Sequence, residues 1–482
     1  MKRFYLICFI VTIAITTFLR LYRFEGFVTF LGDQGRDATI VKRIITLEHL
    51  PAIGAPSSVG QVYLGPFYYY LMAPFLLIFN FNPAGLAYGV VFLSIIGIGF
   101  SYFALRKELN DLTALLFITL LGFSLPLIEL SRFSWNPNLL PYFSFITIYF
   151  FYQWYKKNSA MYAALFGVFL AFSLQLHYLA ALIVPSFFIF YLYFLWKSQH
   201  KQKLLIQTLY AFAAFIVFVS PLIIFDLRHQ FLNTNNFIAL FTEKGLASGI
   251  SVDAKLLETA NQFIAHSLQI NVTKILSLII ILLLSVAAYF VSKKSKASVF
   301  INLHLSVMIL YLIGFSFLQS PRFLHYYGPI YLSFYFLLSQ TPNLIRAKSI
   351  RIATALVIGA FFILVNFPKY YFFYQTPNNQ IANARNFAST FNKYIKKQPI
   401  QIVAVPFTET DGHIRYFLEK DGYKVMSYDS PEQAEELFVL CFQKCIPQDD
   451  PQWQIAAFYN KKVAESWKAD GATIYRIIHG TN

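Results

Sequence analysis

The chain has 482 residues, of which 57% are hydrophobic, 19% aromatic and only 13% charged. That composition belongs to polytopic membrane proteins and excludes a soluble enzyme. The formal charge of +16 would point to nucleic acid in a soluble protein; here the cations answer first to the preference of Lys and Arg for cytoplasmic loops, and no nucleic-acid partner is expected.

In chain order, apolar stretches long enough to approach a crossing length of about 20 residues cover 4–18, 84–105, 112–128, 139–155, 160–176, 178–196, 204–225, 275–291, 299–318, 323–338 and 352–367. Lys2 and Arg3 precede the first, but no small-residue cleavage site follows it, so it reads as a span and not as a signal peptide. A twelfth stretch, 64–81, carries Pro66, Pro74 and the triplet Tyr68-Tyr69-Tyr70. Aromatic rings of this kind favour the membrane interface. Leaving that stretch at the surface, or re-entrant, with the N-terminus inside, puts the basic turns near Arg106, Lys156, Lys197, Lys293 and Arg346 all on the cytoplasmic side. Letting it cross would invert every later loop. The expected fold is an all-α polytopic membrane protein of about 11 transmembrane helices, with interfacial helices in the first external loop and a small C-terminal α/β soluble domain. Its expected parts are a membrane-embedded domain over 1–374, with external loops 24–82 and 226–274, and an external domain over 375–482.

The unusual polar residues then collect on the outer face. "GDQGRDATIVKRI" reads as helical from Gly35, with Ile40, Val41, Ile44, Ile45 and Leu47 on one apolar stripe and Asp37, Lys42 and Arg43 off it. Asp33 at the helix start is suited to an N-cap, and Asp37 to an ion pair with Arg36 or Arg43. The functional alternative is a carboxylate at the mouth of a membrane cavity, acting as general base on an acceptor hydroxyl. Further clusters follow: Glu129, Arg132, Trp135 and Asn136 in "PLIELSRFSWNPN"; His177 between two spans; Asp226, Arg228 and His229 in "FDLRHQ"; Arg322, His325, Tyr326 and Tyr327 in "SPRFLHYYGPIY". Arg322 sits at an outer helix start, where an anion such as phosphate is stabilised both by its charge and by the helix dipole. Carboxylates facing Arg, His and Tyr suit displacement at a sugar carbon that bears a phosphate leaving group.

The tail changes character. "IANARNFASTFNKYIKK" reads as a helix and "PIQIVAV", "LFVLCF" and "ATIYRII" as strands, separated by "GHIRYFLEKDGY" and "VAESWKADG". Cys441 and Cys445 lie there and either form a local disulfide or stay as two free thiols; with Cys8 they make no zinc pattern. No nucleotide-binding glycine loop and no Asp-x-Asp motif occurs in the sequence. No cofactor is required, and a divalent cation is compatible but not indicated.

"GDQGRDATIVKRI", then "YLGPFYYYLMAPF", a basic inner turn and "SLPLIELSRFSWNPN" resemble, in that order, the family-39-type C-type integral membrane glycosyltransferases, relatives of the protein O-mannosyltransferases and the lipid A aminoarabinose transferase. The resemblance covers roughly the first 200 residues, with the span layout and Arg322 added. It implies inverting sugar transfer from a polyprenyl-phosphate donor to a lipid, glycan or protein acceptor at the outer face of the cytoplasmic membrane, among membrane lipids. It also implies that Asp33 is the catalytic carboxylate. The second acid common beside it is Gln34 here, with Asp37 as its substitute. Arg36, Tyr68, Glu129, Arg132, Asn136, His177, Arg322, His325 and Tyr326 are the expected substrate-binding residues, Arg322 holding the donor phosphate. A proline-rich stretch of the family survives only as Gly65-Pro66-Phe67, and its Glu-Ala-Arg is replaced around Arg132 to Trp135. The competing classes are a transporter, a lipid-linked glycan flippase or ligase, and a membrane scaffold. Against transport, ionisable residues are scarce inside the spans and no paired repeat is visible.

Overall fold

Lys2–Leu21 forms the first helix, α1, in the computed structural model, which describes residues 2–57, 61–242, 251–318, 322–428, 430 and 432–480. Phe4, Ile7, Ile10 and Phe18 lie exposed along it, as on a helix whose outer face meets lipid. Between α1 and the long α5 (Ala84–Glu108) come α2 (Phe24–Phe27), α3 (Gly32–Ile45) and α4 (Phe67–Ile78). With 12 residues, α4 rises about 18 Å, short of a hydrocarbon layer of roughly 30 Å.

The next span is broken. α6 (Asp111–Phe123) gives way to α7 (Leu125–Ser131) across a bend of 62° where 112–128 reads as continuous. The bend falls at Ser124, the extended N-cap of α7, and Pro126 in the first turn of α7 lacks the N–H that would continue the ladder of α6. The freed groups are satisfied locally. Buried Arg20 donates to the carbonyls of Leu121 (3.3 Å) and Gly122 (3.1 Å), the Tyr370 hydroxyl donates to Phe123 (2.6 Å), and the Leu125 N–H donates to Asn366 (3.0 Å). Inside a membrane such pairing is obligatory.

There follow α8 (Leu140–Lys157), α9 (Ala160–Leu176), α10 (Val184–Lys197), α11 (Lys201–Arg228), α12 (Leu232–Thr242), α13 (Val252–Leu268), α14 (Lys274–Lys294), α15 (Ser298–Phe317), α16 (Gly328–Gln340) and α17 (Lys348–Asn366). Among the described residues seven helical units are long and apolar enough to cross a membrane, and the bent α6–α7 pair makes an eighth. The chain is thus a multi-pass membrane protein. What separates eight from the expected eleven is α8, α9 and α16, which pack in the same bundle but are less apolar or shorter. Of the expected outer turn 319–322, residues 319–321 lie outside the described residues.

The C-terminal part holds α18 (Gln380–Thr390), α19 (Gly412–Lys420), the single turn α20 (Trp453–Ala456) and a four-stranded sheet of order β1-β2-β4-β3, with β1 at Ile400–Val405, β2 at Glu436–Cys441, β3 at Lys461–Ala469 and β4 at Ala472–His479. β1 and β2 are parallel, Ile402 opposite Phe438; β4 runs antiparallel to β2 and β3. Two segments expected as separators are regular elements. "GHIRYFLEK" is α19, burying Ile414, Phe417 and Leu418, and "VAESWKA" belongs to β3. As an edge strand β3 tolerates its exposed Lys and Glu residues, and Asp470-Gly471, both at positive φ, turns it into β4. Cys441 and Cys445 are joined as a disulfide, and Cys8 is free.

The C-terminal part docks on the first loop through backbone. A Cβ on Gly35 would stand 2.2 Å from Gly412 and His413 main chain, and one on Gly412 2.5 Å from the Gly32 carbonyl oxygen. Only glycine permits α3 and α19 to approach so closely. Around the contact, Phe30, Ala38, Val41 and Met72 share one hydrophobic cluster with Ile414, Phe417, Ile402 and Phe438. Arg43 grips Glu419 through one guanidinium edge, Nη2 donating to Oε1 (2.7 Å) and Nε to Oε2 (3.3 Å), and the Tyr416 hydroxyl donates to the Phe81 carbonyl (2.7 Å).

Candidate active site

The helix α3 begins at Gly32, so Asp33 lies inside its first turn and does not cap it; Leu31 stands at the cap, its N–H held by the Gln34 side chain (3.1 Å). Asp33 and Asp37 are therefore successive positions on one helix face, with Arg36 between them. Arg36 donates from Nη1 to Asp33 Oδ1 (2.8 Å) and from Nη2 (2.8 Å) and Nε (3.0 Å) to Asp37 Oδ1. Their surroundings differ sharply. The Asp33 side chain is 52% exposed, whereas that of Asp37 is fully buried and also accepts from the Tyr69 hydroxyl (3.1 Å). Burial pushes the Asp37 carboxyl up despite the opposing pull of Arg36.

Asp33 and Arg36 open into a narrow cavity of about 40 Å³, whose other walls include Asn136, His177, His325 and Tyr326. Six of the residues expected at the site thus meet, from four separate stretches of chain, with Trp135 beside them. Asn136 is 1% exposed, and among the described residues neither its amide oxygen nor its amide nitrogen has a partner. A buried amide left open at both ends is prepared for a polar guest. His177 accepts the Leu179 N–H at Nδ1 (3.2 Å), so the neutral ring carries its proton on Nε2. His325 packs edge-on against Trp135 at 4.6 Å and against Tyr326 at 4.2 Å.

Other expected residues lie elsewhere. Arg132, 1% exposed, donates to the carbonyls of Leu19 (3.1 Å), Arg20 (2.8 Å) and Tyr22 (2.9 Å) and lies over Phe372. It ties α7 to the end of α1 and does not line the cavity. Arg322 donates to the Leu318 carbonyl (3.1 Å) and Thr259 Oγ1 (3.0 Å) and lies over Phe315, so it braces the end of α15 in place of lining the cavity. Tyr68, 1% exposed, is hydrogen-bonded to Ser134 (2.6 Å) beneath the wall that Trp135 and Asn136 form. Glu129, on α7, also lies outside the cavity lining. Residues of the site that were not expected include Tyr69, whose hydroxyl anchors Asp37, and Ser57 and Tyr178 in the wall. The triplet at 68–70 is the one signal in the sequence that points toward Tyr69. Among the described residues no group of three or more His, Cys, Asp or Glu is placed to hold a metal ion.

A family model described as dolichyl-phosphate-mannose-protein mannosyltransferase matches residues 64–225. The fold is similar to that of ArnT from Cupriavidus metallidurans bound to undecaprenyl phosphate, with TM-score 0.60 and 10% identity, over 98% of this chain and 99% of that one. The apo state of the same protein gives 0.61 and 11% over the same shares. An oligosaccharyltransferase from Archaeoglobus fulgidus, in complex with Zn and sulfate, is similar at TM-score 0.51 and 12% identity, over 90% of this chain and 68% of that one. A comparison with curated proteins found no match. Over residues 64–225 the chain is thus similar to the mannosyltransferase family, and over nearly its whole length its fold is similar to that of ArnT.

Proposed function

We propose that the protein transfers a sugar from a polyprenyl-phosphate carrier to an acceptor hydroxyl at the outer face of the cytoplasmic membrane, with inversion at the anomeric carbon. The observation that carries this reading is Asp33: a half-exposed carboxylate, oriented by Arg36, at the edge of a cavity that also holds the unpartnered amide of Asn136. Asp33 takes the acceptor proton, the acceptor oxygen attacks the anomeric carbon, and the bond from that carbon to the phosphate oxygen breaks with its electron pair leaving on phosphate. A single displacement of this kind inverts the centre. Asp37, buried behind the cavity with three donors on one oxygen, positions Arg36. The Asn136 amide and the Nε2–H of His177 are the groups offered to the departing phosphate. Arg322 could join them only by giving up its carbonyl partners.

The undecaprenyl phosphate bound in the similar ArnT structure supports the donor class. The basic turns support eleven crossings with the N-terminus inside, a membrane domain over 1–374 and the domain over 375–482 outside. The test is sugar transfer by purified protein in detergent, comparing a radiolabelled polyprenyl-phosphate hexose with the matching nucleotide sugar, for wild type and Asp33→Asn. Transfer from the lipid donor alone, lost in the variant, is expected; an active Asn variant removes Asp33 from the role.

A further inference from the structure

Asp33 and Arg36 line two cavities. The second, of about 250 Å³, lies between α3 and the C-terminal part, whose wall includes Phe407, Glu409, Thr410, Gln452 and Gln454. The same carboxylate therefore faces the inter-helical cavity on one side and this one on the other. Nothing in the sequence announces the second wall, which is built from three stretches spread over about fifty residues, 403–411, Tyr428 and 452–454.

Its chemistry is selective. Among the described residues the cavity is lined by one cation, Arg36, already held between Asp33 and Asp37. Asp411 is neutralised by Arg415 (3.0 Å) and accepts the Tyr428 hydroxyl. The Asp33 and Glu409 carboxylates remain, so a phosphorylated or carboxylated guest meets like charge. The amide nitrogens of Gln452 and Gln454 donate to the carbonyls of Ala404 (2.9 Å) and Tyr428 (3.1 Å), which fixes each amide and leaves its oxygen as an acceptor. Several acceptors with few donors suit a guest rich in hydroxyls. Phe407 stands 83% exposed on the rim, an apolar ring of the kind on which the C–H face of a pyranose packs.

We propose that this cavity is the acceptor subsite and that it holds an uncharged, hydroxyl-rich sugar unit, an assignment that rests on the sugar-transfer reading above. The acceptor hydroxyl held here gives its proton to Asp33, its oxygen bonds to the anomeric carbon of the donor in the adjoining cavity, and the electron pair of the broken bond leaves on phosphate. The glycine contact of α3 with α19 fixes the two cavities relative to each other.

The experiment is saturation-transfer NMR on the full-length protein in detergent with methyl glucoside and methyl mannoside, beside the hexose 6-phosphates and a Thr-containing peptide. Phe407→Ala and Gln454→Ala are compared with Ile446→Ala, whose side chain is 66% exposed on the same domain. At least tenfold weaker glycoside binding is expected in the first two and none of that loss in the third, with a matching rise in acceptor KM during transfer. Preference for the sugar phosphate or the peptide, absence of glycoside binding, or binding indifferent to both variants overturns the assignment. Consumption of lipid donor by wild type is scored separately: if none occurs while Phe407-dependent glycoside binding persists, the subsite stands and the reaction assigned above falls.

Discussion

Gly35→Ala is the substitution in which the fold speaks most directly about catalysis. The added Cβ would lie 2.2 Å from the main chain of Gly412 and His413, whereas non-bonded carbons rest at about 3.5 Å. Backbone cannot rotate aside, so α19 must retreat by about 1.3 Å. Overpacking of this kind costs about 1–3 kcal/mol, and the helical preference of Ala over Gly returns about 1 kcal/mol of it. A net loss of about 0–2 kcal/mol remains. The cavity between α3 and the C-terminal part widens by more than an ångström, and a displacement of that size at a reacting centre lowers rate about 100-fold. Steady-state transfer from the lipid donor, alongside thermal unfolding in detergent, separates the two effects. The matched control is Gly99→Ala, where a Cβ meets nothing within 4 Å. A Gly35→Ala enzyme with kcat/KM within about twofold of wild type would refute the claim that this contact sets the site, since a retreat of that size predicts a far larger loss.

Asp37→Asn leaves Arg36 with Asp33 alone and breaks a pair whose acid is fully buried; a loss of about 3–5 kcal/mol is expected, against less than about 1 kcal/mol for Asp33→Asn at its exposed position, and thermal unfolding of the two variants checks the order. His413 on α19 supplies a pH dependence: burial pulls its imidazole down to about 4, so the folded chain binds fewer protons than the unfolded one from about pH 6.5 down to that value. Stability present above the unfolded pKa is lost as pH falls through this window. Unfolding temperatures between pH 7 and 4.5 should decline in wild type and decline less in His413→Gln; equal slopes would exclude His413 as the source.

Local properties of the chain are legible in the order of its residues. Apolar runs and basic turns report the membrane because crossing requires length and hydropathy, both written in consecutive residues. Acids in so apolar a chain single out Asp33 and Asp37 because burial of charge demands a reason. Their unequal surroundings do not follow from spacing, since the exposure of each depends on Tyr69 and on packing against α4 and α19. The two arginines at 132 and 322 make the same point. Each is a buried or half-buried cation beside an aromatic ring, and whether its guanidinium meets a ligand or backbone carbonyls depends on where other helices end. β3 escapes a reading by pattern because an edge strand needs no apolar alternation, although Asp470-Gly471 marks the hairpin. Composition and sequence order by themselves determined a helical membrane protein with its ionisable residues gathered at a few outer turns. Only the tertiary structure decided that Gly32, Gly35 and Gly412 bring the C-terminal part against α3, because a close approach between segments nearly 400 residues apart leaves no periodic trace in either.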